Sequence, residues 1–139
     1  MKLTAYMSAD DAINGLNWVF NRNSDSNAIL RTLTRGISTR IFLGKDSMLS
    51  FVTIQPHRQG TIHKHPEEQW GVLLEGSCLR SQESNEIRMQ VGDFWYSPPN
   101  IEHGIRTEDE KAVILDRFSP PRMAYRRSGK GFGKNSDVS

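Results

Sequence analysis

The chain has 139 residues, 36% of them hydrophobic and 24% charged, which is typical of one soluble globular domain and excludes a disordered chain. The N-terminal residues include two adjacent acidic residues and no long apolar stretch, so we expect no secretory signal. No apolar run in the chain is long enough to span a bilayer, so we expect no membrane partner. Cys78 is the single cysteine, which excludes an intrachain disulfide and favours a cytoplasmic location.

The net charge of +2 is unevenly distributed along the chain. Residues 117–139 contain six Lys or Arg and one Asp, whereas residues 1–116 contain 12 basic and 15 acidic residues. A basic excess at one end differs from a basic stripe across a folded surface, so no nucleic-acid partner is predicted. Residues 128–139 are rich in Gly, Ser and Lys. We therefore predict that residues 123–139 form a flexible basic tail.

Short apolar and β-branched segments, separated by Gly, Pro, Asn and Asp, dominate the middle of the chain. Residues 9–20 look helical or irregular, and residues 21–27 form a polar loop. Many short strands at regular intervals are typical of an all-β antiparallel sandwich or barrel. The predicted strands are residues 37–43, 48–54, 61–65, 69–74, 77–80, 86–91, 94–96, 103–106 and 112–118.

Three of the four histidines have a spacing that favours metal binding. His63 and His65 are two residues apart, so on a strand their rings share one face with Cα atoms roughly 6.6 Å apart. A third nitrogen from His103, which follows a Pro-Pro turn, would complete an open three-nitrogen site. The alternative is that the three rings are structural groups, each hydrogen-bonded within the core.

Two motifs in this region resemble those of the cupin family. The pattern His63-x-His65-x3-Gln69-x6-Gly76 resembles the first cupin motif, with Gln69 where most cupins have Glu. The pattern Gly92-x5-Pro98-x-Asn100-x2-His103 resembles the second. The resemblance implies a single-domain cupin jelly-roll β-barrel over residues 37–122, preceded by an N-terminal segment, residues 1–36, that acts as a dimer-exchange arm and loop. It also implies a metal ion held by His63, His65, Gln69 and His103.

A narrower resemblance concerns the chemistry. The runs His-Lys-His-Pro-Glu-Glu-Gln at residues 63–69 and Asp-Arg-Phe-Ser-Pro-Pro-Arg at residues 116–122 are similar to those of the uronate-linearising cupins of pectin degradation, the KdgF type. This implies a metal-dependent lyase or isomerase that opens 4,5-unsaturated monouronates, from pectin or alginate breakdown, to linear keto-sugar acids. The substrate would be a small anionic sugar, and the protein a homodimer like other small cupins.

The residue chemistry is consistent with that activity. Asp116 and Phe118 share one face of the last predicted strand, so the carboxylate would enter the cavity beside an aromatic wall and could move a proton. Arg122 could bind the substrate carboxylate through two parallel hydrogen bonds. Because none of the four predicted ligands is anionic, a bound ion keeps its full positive charge. Imidazole nitrogens suit Ni, Fe, Zn or Mn, so the ligands do not select one divalent transition metal.

Several alternatives remain open from the sequence. Glu67 could replace Gln69 as an acidic ligand, Asp116 could simply pair with Arg80 or Arg106, and Arg122 could be an ordinary exposed cation. At the level of function, three histidines could serve an Fe(II)-type cupin dioxygenase. A non-catalytic module that binds a sugar or another small molecule is the third possibility.

Overall fold

The computed structural model describes residues 6–132, which contain ten strands, one helical turn and one 3₁₀ helix. The helical turn α1 is Ala9–Ala12, capped by Ser8, and the 3₁₀ helix is Met123–Arg126. The strands are β1 Ile29–Thr34, β2 Ile37–Leu43, β3 Met48–Ile54, β4 Glu68–Glu75, β5 Ser77–Gln82, β6 Asn85–Gln90, β7 Phe94–Ser97, β8 His103–Arg106, β9 Ala112–Ser119 and β10 Gly129–Lys130.

The strands form two sheets that face each other as a β-sandwich. The larger sheet has the order β10-β1-β2-β3-β9-β4-β7 and the smaller has the order β6-β5-β8. All pairs are antiparallel except β1 with β10. The chain passes from one sheet to the other at Gly76, whose positive φ of 77° needs a residue without a Cβ. A Cβ there would also lie 1.8 Å from the Lys111 carbonyl oxygen.

Alternation along the strands places the core between the two sheets. In β3, Met48, Ser50, Val52 and Ile54 are buried, while the residues between them face outward. The buried cluster joins both sheets and includes Ile37, Ile41, Leu73, Cys78, Trp95, Ile114 and Phe118. The all-β jelly-roll expectation is therefore confirmed.

The structure corrects three details of the sequence analysis. Residues 29–34 are strand β1 of the large sheet, so the folded domain begins before residue 37. Residues 61–65 are not a strand, because their pairing is limited to a single bridge between His63 and His103. Residues 123–132 are folded onto the domain rather than flexible, since Tyr125 and Phe132 are buried. Residues 1–5 and 133–139 of the predicted segments lie outside the described residues.

Within residues 6–132, no helix has the length and apolar character needed to cross a bilayer.

Candidate metal centre

The three histidines predicted to bind metal converge inside the barrel. His63 and His103 exchange backbone hydrogen bonds in both directions, each 2.9 Å long, so the segment before β4 is fixed against the start of β8. One ligand atom from each of His63, His65 and His103 lies within 4.8 Å of the other two. The three ring centroids are 4.7–5.6 Å apart. The fold therefore brings three nitrogen donors to one point.

Backbone hydrogen bonds fix the tautomer of all three rings. The Nδ1 atoms of His63, His65 and His103 lie 2.6, 3.0 and 3.0 Å from the carbonyl oxygens of Thr61, Glu67 and Ile101. Because a carbonyl oxygen only accepts, each Nδ1 must carry the proton, which leaves each Nε2 as a lone pair. A hydrogen bond from Nδ1 to a backbone carbonyl oxygen is one of the contacts that orient metal-binding histidines in proteins.

Gln69 contributes a fourth donor atom to the same point. Its side chain is buried and hydrogen-bonds to Asp116, a contact that partly offsets the rise that burial causes in the pKa of that carboxyl group. Its Oε1 lies 3.0 Å from His65 Nε2. Since Nδ1 holds the ring proton of His65, two lone pairs face each other at this distance, and a cation between them would satisfy both.

His103 shows the same lack of a partner. Its Nε2 is buried and has no hydrogen-bond partner among residues 6–132, and a buried polar atom without one costs a few kcal/mol. The three imidazoles and the Gln69 carbonyl therefore fit a divalent transition ion, with neutral donors of the kind that Ni, Fe, Zn and Mn accept. The predicted ligand set is brought together as expected.

Burial keeps two of these imidazoles neutral. It lowers the pKa of His65 from 6.5 to about 3, with the charges of Arg122 and His63 acting in the same direction. It lowers the pKa of His103 from 6.5 to about 2, with Arg80 and the other two histidines adding to the effect. Neutral rings are the form that binds metal, so at mildly acidic pH His65 and His103 remain in the protonation state that metal binding needs.

These pKa values predict that the metal-free protein loses stability in acid. Below pH 6.5, His65 and His103 become protonated in the unfolded chain but stay neutral in the native chain. The free energy of unfolding therefore falls as the pH falls. Between pH 7.5 and 5.5 we expect a loss of about 1.4 kcal/mol for each of the two histidines, measured by urea unfolding.

Two variants test whether the buried histidines cause this decrease in the free energy of unfolding. His103→Gln should remove about half of the decrease, whereas His57→Gln, at an exposed histidine, should leave the decrease unchanged. NMR titration of the imidazole signals provides a second measurement on the unaltered protein. Signals from His65 and His103 that titrate near pH 6.5 would contradict the prediction.

Asp116 lies beside the histidines and has an unusual environment. Its Oδ1 is buried without a hydrogen-bond partner among the described residues. Burial raises the pKa of Asp116, and this outweighs the opposing effects of Arg80, Gln69 and Arg122. Gly71 makes room for the carboxylate, because a Cβ at position 71 would lie 2.3 Å from Trp95 Nε1 and 2.8 Å from Asp116 Oδ1. Such a carboxyl group binds a proton more readily than an exposed one, which suits it to proton transfer.

Arg80 is the second charged group next to Asp116. It is buried, its Nη2 donates to Ser97 Oγ at 2.8 Å, and its guanidinium lies over the Trp95 ring, 5.5 Å from the ring centroid. Its charge lowers the pKa of Asp116. Arg106, the other arginine considered as a partner for Asp116, instead forms two hydrogen bonds with Glu86, so that alternative is wrong.

Arg122 is buried rather than exposed, which excludes the ordinary surface cation. Its guanidinium packs on the rings of Tyr125 and Phe118, with centroid distances of 4.2 and 5.3 Å. Its Nη2 donates to the Phe132 carbonyl oxygen, and its Nε lies 3.9 Å from Glu67 Oε1. The arginine thus lies at the cavity but is already engaged by the C-terminal segment.

Glu67 occupies the outer side of the histidine cluster. Its Oε1 lies 3.5 Å from His65 Nδ1, the nitrogen that points away from the other rings. Glu67 therefore contacts His65 and Arg122 on the side away from the proposed metal position. It does not replace Gln69 as the fourth donor. Glu68 accepts a hydrogen bond from Tyr96 on the outer surface.

These residues surround a small cavity in the barrel. Its volume is about 40 Å³, room for an ion with a few water molecules. The polar lining consists chiefly of His63, Gln69, Arg80, His103, Asp116 and Arg122, and the aromatic lining of Phe118, Tyr125 and Phe132. A divalent ion added to two arginines and one carboxyl group would make the cavity cationic, which suits an anionic ligand.

Known proteins share this architecture. Residues 50–118 match the Cupin domain family. The chain carries a cupin domain.

Relatives of this cupin domain include proteins of the KdgF type. The pectin degradation protein KdgF of Dickeya dadantii is 29% identical over 92 residues, which cover 65% of this chain and 84% of that protein. The structure of KdgF from Halomonas sp. matches with a TM-score of 0.64 and 26% identity, over 68% of this chain and 88% of that one. The chain is thus a cupin that resembles KdgF.

Other structures show the same fold at lower identity. An RmlC-like cupin from Shewanella frigidimarina matches with a TM-score of 0.65 and 19% identity, over 70% of this chain and 88% of that one. Oxalate decarboxylase from Bacillus subtilis matches with a TM-score of 0.64 and 22% identity, over 70% of this chain but 28% of that one. At these low identities, the two matches show a shared fold and nothing about function.

Within the cupin domain, most of the predicted site residues meet at one cavity. His63, Gln69, His103, Asp116, Phe118 and Arg122 all line it, and His65 adjoins it through Gln69. Sequence reasoning missed Tyr125 and Phe132, and it named Arg80 only as a partner for Asp116. A lone phenylalanine within a Gly- and Lys-rich segment was the one available signal for Phe132.

Proposed function

We propose that this cupin is a metal-dependent enzyme that opens 4,5-unsaturated monouronates, released from pectin or alginate, to linear keto-sugar acids. The observation that carries the proposal is the position of Asp116, whose pKa is raised, in the same cavity as the three-histidine cluster and connected to it through Gln69. The resemblance to KdgF, a protein named for pectin degradation, supports the substrate class.

The reaction is an isomerisation with no net gain or loss of atoms. The anomeric hydroxyl loses its proton, the bond between C1 and the ring oxygen breaks, and C1 becomes an aldehyde. The released ring oxygen takes up a proton and becomes the hydroxyl of an enol at C5. A proton added to C4, with loss of the enol hydroxyl proton, converts the enol into a ketone, so the protons gained and lost balance.

Each step has a suitable group in the cavity. Arg122 offers guanidinium donors for the substrate carboxylate, because the fork of a guanidinium matches a carboxylate in two parallel hydrogen bonds. Phe118 forms the aromatic wall, and Asp116 holds the proton that the enol needs. A divalent ion, when bound by His63, His65, Gln69 and His103, supplies positive charge that stabilises an anionic substrate oxygen. The charge of Arg80 favours the ionised form of Asp116 and so opposes the effect of burial on the pKa of this carboxyl group.

The decisive experiment measures the ultraviolet absorbance of the conjugated double bond in freshly prepared unsaturated monouronates from pectin and from alginate. We expect the protein loaded with Ni, Fe, Zn or Mn to remove this absorbance faster than the spontaneous opening, and chelator-treated protein to act more slowly. A rate equal to the spontaneous one, at every metal loading and with both sugars, would exclude the activity.

An Fe(II)-type dioxygenase is the second candidate, because the same three neutral nitrogens suit Fe(II) with open positions for oxygen. Oxygen consumption by the Fe(II)-loaded protein with an aromatic or thiol substrate, in the absence of uronate opening, would favour it. Tight sugar-acid binding with no turnover would instead favour a binding module.

A further inference from the structure

The C-terminal segment of the described chain covers the metal-binding cavity. After β9 the chain makes the short 3₁₀ helix Met123–Arg126, adds β10 in parallel to β1, and returns to the barrel at Phe132. Tyr125 is 2% exposed and Phe132 is 7% exposed, so both aromatic side chains are inserted rather than lying on the surface. We call residues 123–132 the C-terminal cover.

Phe132 is the part of the cover nearest to the histidines. Its ring centroid lies 5.2 Å from that of His63. On its other side, a Cβ built at Gly60 would lie 3.2 Å from Phe132 Cζ, so glycine leaves room for the ring. Its carbonyl oxygen accepts the hydrogen bond from Arg122. One residue therefore contacts a predicted metal ligand and also engages the arginine that the proposed function assigns to the substrate carboxylate.

Arg31 in β1 holds the cover in place. Its Nε donates to the Gly131 carbonyl oxygen at 2.8 Å, its Nη1 to that of Ala124 at 3.0 Å, and its Nη2 to that of Lys130 at 2.5 Å. The guanidinium also lies 5.1 Å from the centroid of the Tyr125 ring. Since Arg31 is itself 7% exposed, these are buried, charge-assisted hydrogen bonds from one side chain to both ends of the cover.

The strand pairing of the cover is short. β10 has two residues, forms the edge of the large sheet, and adds the hydrogen bond from Gly131 N to Thr32 O. The barrel strands β2, β3, β4 and β9 are each seven or eight residues long and pair on both sides. A short edge segment opens with a smaller free energy than the paired core, so the cover can move while the barrel stays folded.

The size of the cavity requires such movement. A volume of about 40 Å³ accepts an ion and a few waters but not a six-carbon sugar acid as well. We propose that Phe132 is the side chain that limits which molecules reach the histidines, and that a sugar acid enters by displacing the C-terminal cover and taking its carbonyl's place at Arg122. The second half of this proposal rests on the proposed function, whereas the first half does not.

Access to the histidines is measured with diethyl pyrocarbonate, which modifies imidazoles, on the full-length metal-free protein. Mass spectrometry gives the modification rate at each histidine. We expect Phe132→Ala to raise the rates at His63 and His103 by about 10-fold or more, and to leave the rate at His57, a histidine that is already exposed, unchanged. Met123→Ala, at a residue of the cover that is 71% exposed, is the matched control and should change none of them.

Arg31 is tested separately by hydrogen exchange. Arg31→Gln should raise amide exchange in residues 123–132 by about 10-fold or more while β2, β3 and β9 keep their protection, and Arg35→Gln, at an exposed arginine in the next turn, should not. Unchanged modification rates in Phe132→Ala together with unchanged exchange in Arg31→Gln would overturn the proposal. Faster modification without any uronate opening would reject the proposed function and leave Phe132 as the limiting residue.

Discussion

Asp116→Asn should abolish the catalysed ring opening while the protein keeps its metal. Asparagine preserves the size of the side chain but cannot hold and transfer the proton, a function that contributes roughly 10²–10⁴-fold in enzymes. We therefore expect kcat on an unsaturated monouronate to fall by about 100-fold or more. The loss should be in kcat rather than KM, because Arg122 and not Asp116 is assigned to the substrate carboxylate.

The controls separate chemistry from folding. Asp109→Asn, at a side chain that is 96% exposed, should retain full activity. Metal content and thermal stability of Asp116→Asn should match those of the unaltered protein. An Asp116→Asn enzyme with more than one tenth of the original kcat would assign the proton transfer to another group.

His103→Ala should cause the largest change in metal binding. His103 is 2% exposed and its Nε2 has no other partner among the described residues, so removal of the ring deletes one of three nitrogen donors without a nearby replacement. We expect the affinity for Ni or Zn to fall by about 100-fold or more, since loss even of the groups behind a ligand costs 10–100-fold. The increase in thermal stability on addition of metal should disappear with it.

His57→Ala is the matched control, because this histidine is exposed and pairs with Asp109 on the surface. It should bind metal as the unaltered protein does. His103→Gln offers a second variant that keeps a polar group in the core, so a folding defect in the alanine variant can be recognised. Unchanged affinity in both His103 variants would show that the three rings are structural.

The sequence predicted the barrel well because its strands are marked by strong local signals. Residues 37–43, 48–54 and 103–106 were bounded to the residue, since β-branched runs there stop at Gly, Pro or charged turns. Strand β1 was missed because it follows a polar loop and its inward residues include Arg31, which alternation of apolar residues does not reveal. The predicted strand at residues 61–65 failed because the histidine segment is held by a single bridge rather than a ladder.

The site was predictable for a different reason. The motif spacing identified His63, His65, Gln69, His103 and Asp116 directly, since the order and intervals of these residues carry the resemblance. What the spacing could not show is that Arg122 is engaged by a distant carbonyl, or that Phe132 lines the cavity. The basic, Gly- and Lys-rich composition of residues 128–139 also gave no sign that Phe132 is buried or that Arg31 binds the carbonyl groups of Ala124 and Gly131. The homodimer and the cytoplasmic location stay predictions.

The paired backbone of His63 and His103 bears on how a metal ion would bind. Because each residue donates to and accepts from the other, two of the proposed ligands are held in position without an ion. Zinc fingers, by contrast, gain much of their order from the ion itself. Here little surface remains to be buried on metal binding, so uptake should show a small heat-capacity change. Competition between cations is then decided by donor chemistry and supply, and one polypeptide can exchange its ion without refolding.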